Sequence, residues 1–338
     1  MFEDNSVTSA KLSADLRNQT PAFKNRIING DMRIDQRNNG AAVTQTAAIL
    51  YTLDRWFAFG TVTSKFTVQR NAGSITPPAG FTNYLGVTST AATAVGASEA
   101  YQILQRVEGL NIADFAWGTA NAQTVTLSFW VRSSLTGTFG GSIGNSANNR
   151  SYPFSYTITA ADTWEQKSVT IPGDTTGTWL TSNGVGLYIS FGLGVGSTFS
   201  GTAGSWSGSN FQSVTGATSV VGTNGATFYI TGVQLEKGAT ATPFENRLYG
   251  TELELCYRYY QQILAYAISF VASLNSVNYI NRNCITTMRT APTVTWTGTW
   301  GGVNPSAVLA TTNTYRWEFA SGAAYNNSTV AEILTAEL

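Results

Sequence analysis

The side chains able to do chemistry are few in this chain, and what is missing decides most. No histidine occurs among the 338 residues. That removes Ser-His-Asp and Cys-His nucleophile schemes, imidazole general bases and every His-ligated metal. Two cysteines, Cys256 and Cys284, fall short of a four-ligand zinc site. They leave open one disulfide or two free thiols, with Cys256 on the apolar face of a predicted helix. A pair of carboxylates could still hydrolyse a glycosidic bond, yet Asp31, Asp35, Asp54, Asp162, Glu165 and Glu236 are scattered without visible pairing. The residues therefore point to a protein with no catalytic group and no cofactor.

Aromatic side chains remain. Their faces stack on sugar C–H bonds while short polar side chains meet hydroxyls. Trp117, Trp130, Tyr152, Tyr156, Trp179 and Tyr188 are spread over one run of predicted strands. Of these, Trp130 and Tyr188 fall opposite the apolar positions and are the ligand candidates there. Further along, Trp296, Trp300, Tyr315, Trp317 and Tyr325 sit on predicted strands and loops and form a second candidate face. For all of them two readings stand side by side: contact with a ligand, or burial in a core or between subunits. Asp54-Arg55-Trp56 is the most motif-like charged site. It reads either as a ligand contact or as a buried ion pair of Arg55, or of Arg33, with Asp54. Glu245, Arg247 and Arg258 read as inter-domain or inter-subunit pairs.

The elements that must position these residues follow from composition and period. Charged residues make up 11%, with Lys+Arg equal to Asp+Glu at 19 each. A neutral surface rich in Ser, Thr, Asn and Gly is not built for nucleic acid. With 43% hydrophobic and 12% aromatic residues, the chain can fill a core and does not read as disordered. Many Thr and Gly suit an all-β protein with many turns. No apolar run is long enough to cross a bilayer: Ile263 to Leu274 is short and contains Ser269 and Ser273. Met1-Phe2-Glu3-Asp4 lacks the basic start of a signal peptide. The expectation is a soluble chain without membrane insertion.

Gln123 to Ser133 is the clearest strand, with Val125, Leu127, Phe129 and Val131 alternating against Thr124, Thr126, Ser128 and Trp130. Ile27 to Ile34 reads as the first strand. Phe228 to Leu235 reads as the last, with Gly232 marking a bulge or a close backbone approach. An exit arm through Pro243 and Phe244 is then expected to cross the surface of the sandwich. Gly194 to Gly225 is a long Gly/Ser/Thr-rich stretch whose Trp206 and Phe211 argue for local packing. Thr251 to about Leu264 reads as a helix, capped by Thr251 and Glu254, with Leu253, Cys256, Tyr257, Tyr260 and Leu264 on one face. After it the period changes to two, and strands are expected at 280–288, 293–300, 315–319 and 330–338.

Three stretches carry a resemblance, and they occur in order. Asn25-Arg26-Ile27-Ile28-Asn29-Gly30-Asp31-Met32-Arg33-Ile34, followed by Tyr51-Thr52-Leu53-Asp54-Arg55-Trp56, resembles the opening of a jelly-roll module found in bacteriophage tail fibres and related prophage structural proteins. Thr227 to Gly238, continued to Arg247, resembles its close, and Leu255-Cys256-Tyr257-Arg258-Tyr259-Tyr260 the helix that follows. The resemblance spans roughly Ala22 to Tyr260. It implies an all-β fold: a jelly-roll β-sandwich at 23–249, then a short helix and a smaller C-terminal β-rich domain at 250–338. Residues 1–22, where Ser6-Val7-Thr8-Ser9-Ala10-Lys11-Leu12 resembles a fibre-shaft repeat, read either as a disordered terminus or, as the resemblance implies, as a segment that orders on docking to other tail or virion proteins or on trimerisation.

The implied function is a non-enzymatic tail fibre, homotrimeric, located in the virion after assembly in the host cytoplasm, adhering to host surface polysaccharide through a C-terminal tip. The alternative is a structural decoration or head/neck fibre without a receptor. A glycan depolymerase is the third reading, and the β-helix repeat that usually carries one is not detectable. Related carbohydrate-binding jelly rolls often hold a structural calcium. Here Arg33 and Thr231-Gly232 stand where its acidic ligands are expected, so no metal is expected.

Overall fold

Period-two sequence becomes a stack of antiparallel strands. The computed structural model describes residues 23–47, 49–270, 278–299, 305–319 and 325–338. The attachment segment 1–22, Trp300 and the Gly301-Gly302 turn lie outside the described residues. The chain divides into two units. The first runs up to Arg33 and takes in Gly40–Thr52 and Trp56–Asn246; the second is Ile34–Asn39, Leu53–Arg55 and Arg247–Leu338.

In the first unit the strands are β1 (Val43–Thr44), β2 (Leu50–Leu53), β3 (Trp56–Gly60), β4 (Phe66–Arg70), β5 (Leu85–Ser89), β6 (Ala100–Glu108) and β7 (Val125–Ser133). Then come β8 (Gly137–Asn145), β9 (Ser151–Ile158), β10 (Glu165–Ile171), β11 (Val185–Val195), the short β12 (Ser200–Gly201) and β13 (Ser213–Val214), and β14 (Thr227–Lys237). Two six-stranded sheets form, in the orders β1-β4-β5-β14-β7-β10 and β2-β3-β6-β11-β8-β9. The pattern is that of a jelly-roll sandwich, as expected. Apolar phases of the strands share one core: Phe129 meets Phe191 edge-on at 5.1 Å and Tyr156 at 4.9 Å, with Trp56, Tyr101, Phe139 and Phe228 equally buried.

The first strand expected from the sequence does not form. Asn29 (φ 57°) and Met32 (φ 61°) are left-handed and turn the backbone out of a ladder. Only two backbone bonds join the segment to β14, Arg26 N to Leu235 O and Val233 N to Gly30 O, and side chains supply the rest. Asn25 Oδ1 accepts the N–H groups of Ile27 and Leu235, and its Nδ2 donates to Val233 O. Gln105, fully buried, accepts from Ile28 N and donates to Ile28 O. Gly30 lies so close to β14 that a Cβ would sit 2.2 Å from Val233 O.

Gly194 to Gly225 packs locally, as its aromatics suggest. Its inner part covers the outer face of the second sheet: Ser190 Oγ donates to Gln212 O, Gln102 Nε2 to Gln212 Oε1, and the Tyr188 hydroxyl to Asn210 Oδ1. Glycine in β8 and β11 lets it lie flat, since a Cβ at Gly140 would stand 2.4 Å from Ser213 Oγ.

In the second unit the helix α1 (Tyr249–Tyr257) is shorter than expected and begins earlier. Leu248 precedes it without a side-chain cap, so Thr251 and Glu254 lie inside the helix and form no capping box there. Strand pairing ends it: β15 (Tyr260–Phe270) starts where helical spacing still continued, with Tyr260 opposite Thr335. The other strands are β16 (Asn278–Asn283), β17 (Thr293–Thr299), β18 (Ala307–Ala310), β19 (Thr314–Phe319) and β20 (Tyr325–Thr335). They make two three-stranded sheets, β15-β20-β17 and β16-β19-β18, around Met288, Tyr315, Trp317, Phe319, Val330 and Leu334. Cys256 and Cys284 are both free.

Candidate functional site

The outer face of the first sheet carries the site. In register across it, Trp130 of β7 stands between Gln166 of β10 and Thr231 of β14. One row on, Ser128 stands between Ser168 and Gln234. β14 then loses register with β7 between Thr231 and Gln234, and Gly232 at the bulge has φ 61°. Both readings of Gly232 hold at once: it is a bulge and a close approach. A Cβ there would lie 2.6 Å from the Phe81 ring and 3.2 Å from Trp130 Cδ1. The missing side chain is what lets two aromatic rings lie down on the sheet together. Phe81 is delivered by the Pro77-Pro78-Ala79-Gly80 turn, closed by Phe81 N donating to Pro78 O at 3.1 Å with Gly80 at φ 89°.

The arm after β14 crosses this same face. Glu236, 3% exposed, accepts from Thr242 N, Thr242 Oγ1 and Gln234 Nε2. Gln234, fully buried, accepts from Glu245 N. Thr126 and Thr170 donate to the carbonyls of Gly238 and Ala239. Lys24 Nζ donates to Thr242 Oγ1 and Pro243 O, and Glu245 accepts the N–H groups of Lys24 and Asn25. So latched, the arm sets Phe244 edge-on against Phe81, 5.1 Å between ring centres.

Between the arm, the Phe81 turn and the exposed row of β7 and β10 lies a groove of about 640 Å³, lined by Phe81, Trp130, Gln166, Ser168, Thr242, Phe244 and Asn246 among others. That size falls in the range of small-molecule sites. The first unit contains six tryptophans. Five give their indole N–H to an internal acceptor: Trp56 to Asn29 O, Trp117 to Gln123 O, Trp164 to Thr76 O, Trp179 to Asp174 and Thr176 O, and Trp206 to Pro172 O. Trp130, partly exposed, has no such partner among the described residues, and neither do the side chains of Gln166, Ser168 and Asn246. Among the described residues the only ionisable one in the lining is Lys167, and its ammonium holds Glu165 at 2.5 Å. Burial pushes Glu165 up, but Lys167 and the N–H groups of Ala160 and Thr159 outweigh it and bring its pKa down to about 2.

The other candidates go elsewhere. Tyr188 lies on the outer face of its sheet as alternation predicts, yet is buried with Phe57 and Leu104, and its pKa is pushed to about 12 by burial. Trp117, Trp179 and Trp206 pack edge to edge, with Tyr152 against Trp206. Arg150 crosses to Asp174 beside them through two hydrogen bonds. Tyr156 is a core residue.

Of the C-terminal candidates, Tyr315 and Trp317 lie inside and Trp296 is partly exposed. Tyr315 and Trp317 are 1% and 0% exposed. Both donate to the buried carboxylate of Glu332, Trp317 Nε1 at 2.7 Å. Trp296 packs edge-on against Trp317, 4.9 Å between ring centres. Tyr325 opens β20, and Trp300 is outside the described residues.

Nor does the Asp54-Arg55 motif face a ligand. Within the second unit Asp54 accepts from Gln36 N and Nε2, while Arg55, 2% exposed, pairs with Glu337 and lies over the Tyr259 ring. Arg33 pairs instead with Asp31. Arg247 pairs with Glu252 at 3.3 Å. At the positions considered for calcium, Thr231 Oγ1 donates to Asn83 O and Gly232 lies under Phe81. Among the described residues no three His, Cys, Asp or Glu side chains group to hold a metal, and no helix is long and apolar enough to cross a membrane.

No protein-family model matches the chain, and no curated protein does. Solved structures match part of it. The enzymatically active domain of tailspike protein 4 from bacteriophage CBA120 aligns at 14% identity over 54% of this chain, with TM-score 0.31, and the match covers 19% of that domain. A putative sugar-binding protein from Bacteroides thetaiotaomicron aligns at 11% identity over 64% of this chain and 100% of its own, with TM-score 0.37. TmCBM61 in complex with β-1,4-galactotriose aligns at 10% identity over 64% of this chain and 100% of its own, with TM-score 0.33. Similarity at this level transfers no activity to the present chain.

Proposed function

We propose that this chain is a non-enzymatic fibre protein of a bacteriophage virion that holds a cell-surface glycan in the Trp130 groove. One observation carries the site: Trp130 is the single indole of the first unit without an internal acceptor among the described residues, and it stands beside the amides of Gln166 and Asn246 and the hydroxyl of Ser168. An aromatic face for C–H stacking with short polar groups around it is what a pyranose needs. The virion assignment is supported by the three ordered stretches that resemble phage fibre modules. In that reading residues 1–22 attach the chain to the virion, copies associate as homotrimers, and weak single sites add up through avidity.

The test is labelling of host cells by the purified, N-terminally tagged protein and by Trp130→Ala. Removing a ring at the centre of a site costs about 2 kcal/mol, a loss of roughly thirtyfold in affinity. Labelling lost in a folded Trp130→Ala variant supports the reading. Labelling that survives the change moves the site elsewhere. No labelling by the intact oligomer favours the decoration or spacer role, and release of reducing ends from host polysaccharide would make the protein an enzyme.

A further inference from the structure

The groove is built for an uncharged stretch of glycan. Resting on the reading just given, we infer that its ligand is a neutral pyranose chain, of hexose or N-acetylhexosamine units, and that acidic sugars such as uronates and sialates are excluded. Several observations converge. Among the described residues the only ionisable one in the lining is Lys167, whose side chain falls on the face of β10 opposite Gln166 and Ser168 and has its ammonium on Glu165 at 2.5 Å. Glu165 is fixed in turn by Thr159 and Ala160, so the pair presents no net charge and no loose cation. The other polar groups in the lining are the amides of Gln166 and Asn246 and the hydroxyls of Ser168 and Thr242.

Three arginines of this unit are held by carboxylates, and the ammonium at the arm, that of Lys24, is spent on Thr242 Oγ1 and Pro243 O. Arg132, on the same face of β7 as Trp130, is tied to Asp162 at 3.0 Å. Arg26 holds Asp114 at 2.8 Å, and Arg150 holds Asp174 at 2.6 Å. Against the apolar wall of Phe81 and Phe244, an unpaired carboxylate would lose hydration without gaining a partner. An acetamido group is accommodated differently: its N–H and C=O find the amides, and its methyl finds a ring. At long range the chain's balanced charge, 19 against 19, gives no field to attract a polyanion.

The full-length protein and its Trp130→Ala variant are titrated calorimetrically with matched tetrasaccharides at about 50 and 500 mM NaCl, a range that shortens screening lengths severalfold. The probes are glucose, galactose and N-acetylglucosamine chains, with oligogalacturonate and oligosialate as acidic counterparts. The expected result is binding to at least one neutral chain, changed less than twofold by salt and lost in Trp130→Ala. Acidic chains alone binding, weakened tenfold or more by salt and lost in Trp130→Ala, would overturn the ligand class while leaving the groove as the site. Neutral binding that survives in a folded Trp130→Ala protein would overturn both. So would the absence of binding to any probe by protein that still labels host cells.

Discussion

Trp130 and Tyr188 share one sequence context, an aromatic on the polar phase of a strand, and meet different fates. Alternation fixes which face of a sheet a side chain occupies and is silent on what later lies over that face. Over Tyr188 the stretch before β13 closes down and takes its hydroxyl; beside Trp130 the chain makes a bulge instead and leaves the ring edge open. Gly232 decides this, and it can be tested directly. Gly232→Ala puts a Cβ in a left-handed backbone, a cost of about 1–2 kcal/mol, and drives it into the Phe81 ring. We expect a lower Tm by circular dichroism together with weakened glycan binding. An unchanged Tm would mean the bulge relaxes without cost.

A second residue-scale prediction concerns Glu165. Its pKa is depressed in the folded protein, to about 2 from an ordinary 4.5. Its contribution to stability is therefore complete above pH 4.5 and is lost as pH falls from there towards 2. Denaturation between pH 5 and 2 should be less steep in Glu165→Gln than in the parent, with the two curves converging at the acid end. Parallel curves would show that Glu165 is not the group being titrated.

At the scale of elements, much was legible and the failures have physical causes. β7 and β14 are legible to within about two residues at each end, because period-two patterns survive in strands that are paired on both sides. The opening segment is not a strand because Asn29 and Met32 turn left-handed and the side chains of Asn25 and Gln105 supply most of its bonds, which no local pattern announces. The helix was overrun because Tyr260 fits a helical face as well as a strand; pairing with β20, some seventy residues away, decided between them. Pro243 and Phe244 marked the arm, but the residues that latch it, Gln234 and Glu236, looked like an ordinary strand end. Both sit on the sheet's outer phase and are buried only because the arm returns over them.

That burial gives the arm a measurable role. Glu236→Ala would leave the N–H and hydroxyl of Thr242 and the amide of Gln234 short of an acceptor, at about 1–3 kcal/mol for each group that stays buried. The arm is expected to release instead, so that limited proteolysis cuts near Thr242 and the groove loses its Phe244 wall. Resistance to protease equal to that of the parent, with unchanged binding, would show that the bonds of Lys24, Glu245, Gln234, Thr126 and Thr170 hold the arm without Glu236.

At the scale of the whole molecule the question is which unit meets the ligand, since aromatic residues abound in both. Among the described residues of the second unit, Tyr259, Tyr260, Tyr315, Trp317 and Phe319 turn inward, while Tyr249 and Tyr279 are exposed. Tyr315 and Trp317 surround Glu332, a carboxylate with no exposure, and both supply it with hydrogen bonds. Stability and recognition can be separated by removing one oxygen. Tyr315→Phe keeps the ring and its packing while withdrawing a donor from a buried charged group, a change that costs about 1–3 kcal/mol. If Tyr315 is a core residue, as its burial says, the variant unfolds at lower denaturant while its affinity for glycan stays within twofold of the parent, because every residue lining the groove belongs to the first unit. If instead the C-terminal aromatics formed the receptor face, the same change would weaken binding and leave the unfolding midpoint where it was. Each outcome moves one measurement and leaves the other in place, so one variant, measured by urea denaturation and by calorimetric titration, decides between a C-terminal tip and the sandwich groove.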